Sequence, residues 1–300
     1  MREQYARVSD EIELCYETFG DPADPTVLLV MGLGTQMIAW HEDFCGMLVE
    51  RGFHVVRFDN RDVGGSTHLT HVDPPSLKQL LLRDRKAAAY RLEDMAADAA
   101  GLLDHLGVER AHVVGASMGG MIAQAIASHH GERVRSLVSI MSTTGGRWVG
   151  QPAFTMYPVL LATPPREREA YVERAVEVYE KIGSPGFERD VENLRRIAGL
   201  AFDRRQDPRG AGRQMMAILA SGDRTADLRR IRVPTLVVHG TADRLVALSG
   251  GKAVAKAIPG ARLMLIEGMG HDLPRGVWPR LVDGIAATAA RADAGAVTAG

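Results

Sequence analysis

The sequence predicts an α/β fold, a mostly parallel sheet with helices on both faces. Three observations carry this. Short β-branched runs alternate with longer helical patterns through residue 145. The runs are apolar from end to end, as strands covered on both sides must be. The alternation stops between Gly145 and about Arg230 and resumes at Pro234.

The elements follow in order. Glu11 to Thr18 alternates apolar and charged residues, as a half-buried strand does. Gly20 to Pro25 is a turn cluster, and Thr26 to Met31 (TVLLVM) is a continuous apolar strand. Trp40 to Arg51 reads as a helix stopped at Gly52, and His54 to Phe58 (HVVRF) as the next strand. Leu92 to Leu106 is a helix, with Met95, Leu102, Leu103 and Leu106 on its apolar side. Ala111 to Gly115 is a strand, Met118 to His129 a helix and Val134 to Met141 a strand. After Pro234 come the strand PTLVVHG, a helix around Lys252 to Ala257, the strand Arg262 to Glu267 and a last helix over Pro279 to Ala290. Residues 292–300 read as a frayed tail. The intervening segment carries helical patterns at Glu167 to Ile182, Phe187 to Ala201 and Gly212 to Ala220, with no strand-like run. It reads as a helical insertion between two strands of one sheet, giving a core of 1–145 and 231–300 and an inserted unit of 146–230.

The chain has 300 residues, enough to bury a core without disulfides or metal. Its 36 basic and 37 acidic residues leave a formal charge of -1. That balance offers no attraction for nucleic acid or an anionic membrane surface. Cys15 and Cys45 read as free thiols, zinc-ligand spacing is missing, and no metal or organic cofactor is implied. The N-terminus lacks the apolar stretch of a secretory signal, and no run reaches the length of a membrane span. A cytoplasmic protein without stable membrane insertion is the expectation.

Gly115-Ala116-Ser117-Met118-Gly119 is G-x-S-x-G, entered from a strand and left by a helix. Such a turn lifts the serine hydroxyl clear of the sheet and sets it at a helix N-terminus. A hydroxyl needs a base, and histidine has the suitable pKa. Of ten histidines, His271 lies in a glycine-loosened loop directly after a sheet strand. His239-Gly240 ends the strand before it, and His112 lies inside the strand before the elbow. Asp243 follows the strand 234–240 at the sheet edge where open α/β folds bind ligands. It is the candidate orienting carboxylate. Oxyanion donors are expected from the backbone N–H groups of Met118 and Leu33, with Gly32 the other candidate in the loop 32–35.

LLVMGLG, the Asp59–Ser66 loop, VVGASMGG, PTLVVHGTAD and GMGHDLP fall in one order along nearly the whole chain. Together they resemble the α/β-hydrolase superfamily. GDPADP, FDNRDVGGST and IEGMGHDLP are similar to serine esterases of the aclacinomycin methylesterase type. The resemblance implies an eight-stranded, mostly parallel sheet with a helical cap inserted after strand six. It departs from the common pattern twice: Met31-Gly32 stands for His-Gly, and Asp62 stands for a glycine of D-x-R-G-x-G-x-S. Arg61 reads as a packing and pairing residue.

Ester hydrolysis through an acyl-enzyme is the function these residues predict. The same triad also serves C–C, lactone or thioester hydrolysis and cofactor-free perhydrolysis. The expected partner is a small hydrophobic ester, held by Gly32, Trp148, Met156, Tyr157 and Met216. The oligomeric state is not readable.

Overall fold

The computed structural model describes residues 3–160, 162, 164–204 and 207–297. The chain opens with β1 (Gln4–Arg7), β2 (Glu13–Phe19), β3 (Thr26–Val30), α1 (Glu42–Val49) and β4 (His54–Phe58). Next come α2 (Leu77–Leu82), α3 (Leu92–His105), β5 (Ala111–Ala116), α4 (Met118–His129) and β6 (Val134–Ile140). Five helices follow: α5 (Tyr157–Leu160), α6 (Arg168–Ile182), α7 (Val191–Arg204), α8 (Gly210–Ser221) and α9 (Thr225–Leu228). The chain then returns through β7 (Thr235–Gly240), α10 (Ser249–Ala257), β8 (Arg262–Ile266) and α11 (Trp278–Val297).

Among the described residues eight strands form one sheet in the order β1-β2-β4-β3-β5-β6-β7-β8. Strand β2 alone runs against the rest. Alternate residues face opposite sides. Leu28, Val30, Val113 and Leu137 pack with α3, α4 and α10. Val27, Leu29, Val114 and Val138 pack with α1 and α11. The apolar runs are unbroken because both faces are covered.

The half-buried pattern expected of β2 is not what forms. Leu14, Cys15, Tyr16 and Glu17 are all buried. Glu17 and Arg57 are register partners on β2 and β4. Arg57 donates to Glu17 from Nε at 2.9 Å and Nη2 at 2.5 Å, and from Nη1 to the Trp40 carbonyl. The Phe19 ring lies 5.0 Å from the guanidinium. A charge that reads as solvent-facing is thus held inside by a two-pronged partner. Cys15 and Cys45 are free and buried, and burial pushes both thiols up to about 12.

Two ends differ from the sequence reading. Helix α11 continues through Val297, where a frayed tail was expected, because its alanines are strong helix formers. Residues 298–300 of that expected tail lie outside the described residues. The strand β1 carries a single buried residue, Ala6, and so left no periodic signal. No helix among the described residues is long and apolar enough to cross a membrane.

The helices between β6 and β7 are tied to the sheet by buried polar groups. Arg204 of α7 reaches Asp59 at 2.7 Å and Gln36 at 2.5 Å. Arg213 of α8 reaches Asp62 at 2.6 Å and Asp207 at 3.0 Å, and Tyr90 donates to Asp62 at 2.7 Å. Burial pushes Asp207 up, but hydrogen bonds from Arg209 and Arg213 outweigh it and hold the carboxyl at about 2. Asp62 has φ +71°, the left-handed backbone for which many relatives of the motif use glycine. Arg61 grips Asp98 with two 2.6 Å bonds and lies 5.0 Å from the Tyr90 ring, a pairing role.

Removing one member of a buried ion pair strands the other charge. Glu17→Ala should therefore lower the unfolding free energy by about 3 kcal/mol in a urea titration. The double variant Glu17→Leu/Arg57→Met should recover most of that loss. A double variant as unstable as the single one would contradict the account.

Candidate active site

Strand β5 runs into Ser117, and α4 leaves it. Ser117 has φ 57° and ψ -120°, a conformation that L-residues resist. It is held from both sides: its N–H donates to the Ile140 carbonyl at 2.9 Å, and its carbonyl accepts from Ser142 Oγ at 2.9 Å. The turn is tight enough that a Cβ on Gly119 would run into the Val30 carbonyl. The two small residues flanking the motif are therefore steric requirements.

His271 follows β8. Its backbone N–H donates to the Ile182 carbonyl at 2.7 Å, and its Nε2 lies 2.8 Å from Ser117 Oγ. Its Nδ1 lies 2.8 Å from Asp243 Oδ2. The carboxylate can only accept, so Nδ1 carries the proton and Nε2 is left to accept from the serine hydroxyl. Asp243 Oδ1 accepts from the N–H groups of Leu245 at 2.9 Å and Val246 at 2.8 Å. All of its oxygens are thus engaged, and its side chain is fully buried. Ser117, Asp243 and His271 come together from three parts of the sequence. A hydroxyl so placed can pass its proton to the imidazole as it attacks a carbonyl carbon.

His239 lies behind the acid, with Nε2 at 3.6 Å from Asp243 Oδ2 and 2.8 Å from the Val246 carbonyl. Burial lowers its pKa, so it stays neutral and does not compete as a cation for the carboxylate. His112 is bound to Ser136 Oγ at 2.8 Å, and burial drives it down to about 4. It faces packing, away from the serine.

The loop 32–35 after β3 meets the elbow directly. A Cβ built on Gly32 would sit 3.1 Å from Ser117 Cβ and 3.6 Å from Oγ. Leu33 and Met118 share one cavity with Ser117 and His271. Met118 is the first residue of α4, so its N–H has no intrahelical acceptor.

That cavity has a volume of about 780 Å³. Gly32 and Tyr157 line it, together with Met121, Met215, Ile218 and Leu219. Three expected lining residues lie elsewhere. Trp148 is 83% exposed and sits under Arg147, with the ring 5.2 Å from the guanidinium. Met156 and Met216 are buried in packing. On α8 adjacent side chains diverge by about 100°, so Met215 faces the cavity while Met216 faces the core. His41, Asp272 and Arg275 also line the cavity. His41 and Arg275 belong to no local motif, whereas Asp272 stands beside His271 in GMGHDLP. Asp272 accepts from the Ser184 hydroxyl, and burial raises its pKa. No group of three His, Cys, Asp or Glu residues is arranged to hold a metal among the described residues.

A family model described as the α/β hydrolase fold matches residues 25–274. A rhodomycin D methylesterase of Streptomyces peucetius is 30% identical over 93% of this chain and 95% of its own length. A 3-oxoadipate enol-lactonase of Acinetobacter baylyi is 25% identical over 86% of each chain. The crystal structure of a hydrolase from Pseudomonas aeruginosa superposes with a TM-score of 0.71 at 27% identity, covering 96% of this chain and 97% of that one.

The strain at position 117 can be measured without the hydroxyl. Ser117→Gly should be about 1 kcal/mol more stable than Ser117→Ala, the reverse of the usual order. Urea midpoints that place the alanine variant equal or higher would show that the turn stores no strain.

Proposed function

The chain belongs to the α/β-hydrolase family, and from that premise we propose that it is a serine-dependent carboxylic ester hydrolase. The observation that carries the reading is the relay of two 2.8 Å contacts, Asp243 to His271 and His271 to Ser117. In this mechanism His271 Nε2 takes the Ser117 proton while Oγ attacks the ester carbonyl carbon. The carbonyl oxygen becomes an oxyanion held by the N–H groups of Leu33 and Met118. Asp243 holds the imidazole in its tautomer and stabilises the imidazolium. The tetrahedral species collapses, and His271 returns the proton to the departing alkoxide. The acyl-enzyme is then attacked by water, whose proton passes to His271, and the acid is released with the serine restored.

The substrate class rests on the cavity and the relatives. Apolar walls and a volume of about 780 Å³ suit a bulky hydrophobic acyl group or a short-to-medium chain. The relative named a rhodomycin D methylesterase favours a small alcohol portion, a methyl ester. Residues 146–230 are read as a cap that supplies much of this wall, through Tyr157, Met215 and Leu219. Lactone opening is the second reading, supported by the relative named an enol-lactonase.

Ser117→Ala and His271→Ala should each lower kcat on an apolar methyl ester by a factor on the order of 10⁶. Asp243→Asn should cost about 10⁴, since it favours the wrong tautomer. A fluorophosphonate should label Ser117 in the parent protein. Parent-like turnover by Ser117→Ala would refute the assignment. A rate on a lactone far above that on the matching open ester would select the second reading.

A further inference from the structure

The loop 32–35 has few contacts of its own to fix it. Its hydrogen bonds include Thr35 N–H to the Gly32 carbonyl at 3.2 Å and Thr35 Oγ1 to the Leu33 carbonyl at 3.1 Å. Both are internal to the loop, while Leu33 packs against the core and Asn60 donates to the adjoining Met31 carbonyl at 2.9 Å. A further hydrogen bond reaches the loop from α8. Gln214 on α8, with no exposed surface, accepts the Gly34 N–H on Oε1 at 2.8 Å. Its Nε2 donates to the Arg61 carbonyl at 2.8 Å. The amide cannot be turned over, because the reverse orientation would set NH2 against N–H and oxygen against oxygen.

The same helix approaches the loop closely there. Gly34 has φ +62°, and a Cβ placed on it would lie 3.2 Å from Ala211 Cβ. One face of α8 therefore lies against the loop and hydrogen-bonds it at the residue after Leu33. We infer that Gln214 is a positioning residue: it fixes the loop 32–35 so that the Leu33 N–H faces the oxygen that becomes negative in the reaction. The inference rests on the serine-hydrolase reading above. A preorganised donor acts without reorganisation as charge develops, and a displacement near 1 Å costs about a hundredfold in rate. The inserted helices thus complete the reaction centre as well as cover it.

The loss should fall on the transition state and spare the ground state. Gln214→Met keeps the chain length and removes both bonds. Gln214→Asn keeps the amide but cannot span both partners. Each should lower kcat about tenfold to a hundredfold and leave KM within about threefold of the parent. The second readout is an apolar trifluoromethyl ketone. Ser117 Oγ adds to its carbonyl carbon, the serine proton passes to His271, and the C=O pair becomes an oxyanion in the same donors. Its affinity should fall by the same factor as kcat/KM, while the affinity of the ester's product acid stays at the parent level. Circular dichroism and thermal melts establish that the variants are folded. A raised KM with parent kcat, unchanged ketone affinity, or loss of folded protein in both variants overturns the inference and makes Gln214 a packing residue. Ser117→Ala is run beside them. If it is inert while Gln214→Met matches the parent, only the positioning role fails. If it is active, the serine reading fails and takes the positioning role with it.

Discussion

The conformation of one residue governs the site. At φ 57° and ψ -120°, Ser117 occupies backbone space that costs on the order of 1–3 kcal/mol. It stays there because its N–H and carbonyl are each fixed by the chain at the end of β6, through Ile140 and Ser142. Close packing of Gly119 on β3 leaves the turn no room to relax. The same turn sets the hydroxyl above the sheet edge and puts a free amide beside it. Strand pairing, steric fit and the placement of the Ser117 hydroxyl are a single constraint.

The helices between β6 and β7 act on this geometry from two sides. The Ile182 carbonyl receives the His271 N–H, and Ser184 bonds both the Gly270 N–H and Asp272. Gln214 reaches the opposite side of the site. Arg204 and Arg213 hold the same helices to the Asp59–Asp62 turn by ion pairs to fully buried carboxylates. A guanidinium is suited to this, since its fork satisfies a carboxylate in a fixed direction. Directional anchors of this type fix angle as well as distance, which apolar packing alone does not.

Much of this was legible in the residues. The core strands were visible because a sheet covered on both faces demands unbroken apolar runs, as in Thr26 to Met31. The elbow was visible because a strand–serine–helix turn needs small neighbours at fixed offsets. Asp243 and His271 stand out from their place after strands, where the sheet edge gathers side chains, and the fold brings them together. Other features had no local signature. Glu17 reads as a wet-face residue until Arg57 is known to be its cross-strand neighbour. Gln214 is one amide in a helical pattern, and its two partners lie 180 and 153 residues away. The cavity wall was misread at Met216 by one position, which on a helix is the difference between lumen and core. Trp148 is expected in the cavity wall, but the residue is 83% exposed. The capping box of Ser76 and Gln79 that opens α2 is a local signal of that helix start.

The order of the pieces along the chain has a temporal consequence. Ser117 and its elbow lie in the first half, whereas Asp243 and His271 arrive only after α4 to α9 have been made. During vectorial synthesis the strained turn must be built, or wait, without the partners that give it purpose. A nascent polypeptide stalled before residue 271 holds Ser117 without the imidazole that lies 2.8 Å from its hydroxyl in the finished fold. The contact is completed only after β8, the edge strand, has been made and paired with β7.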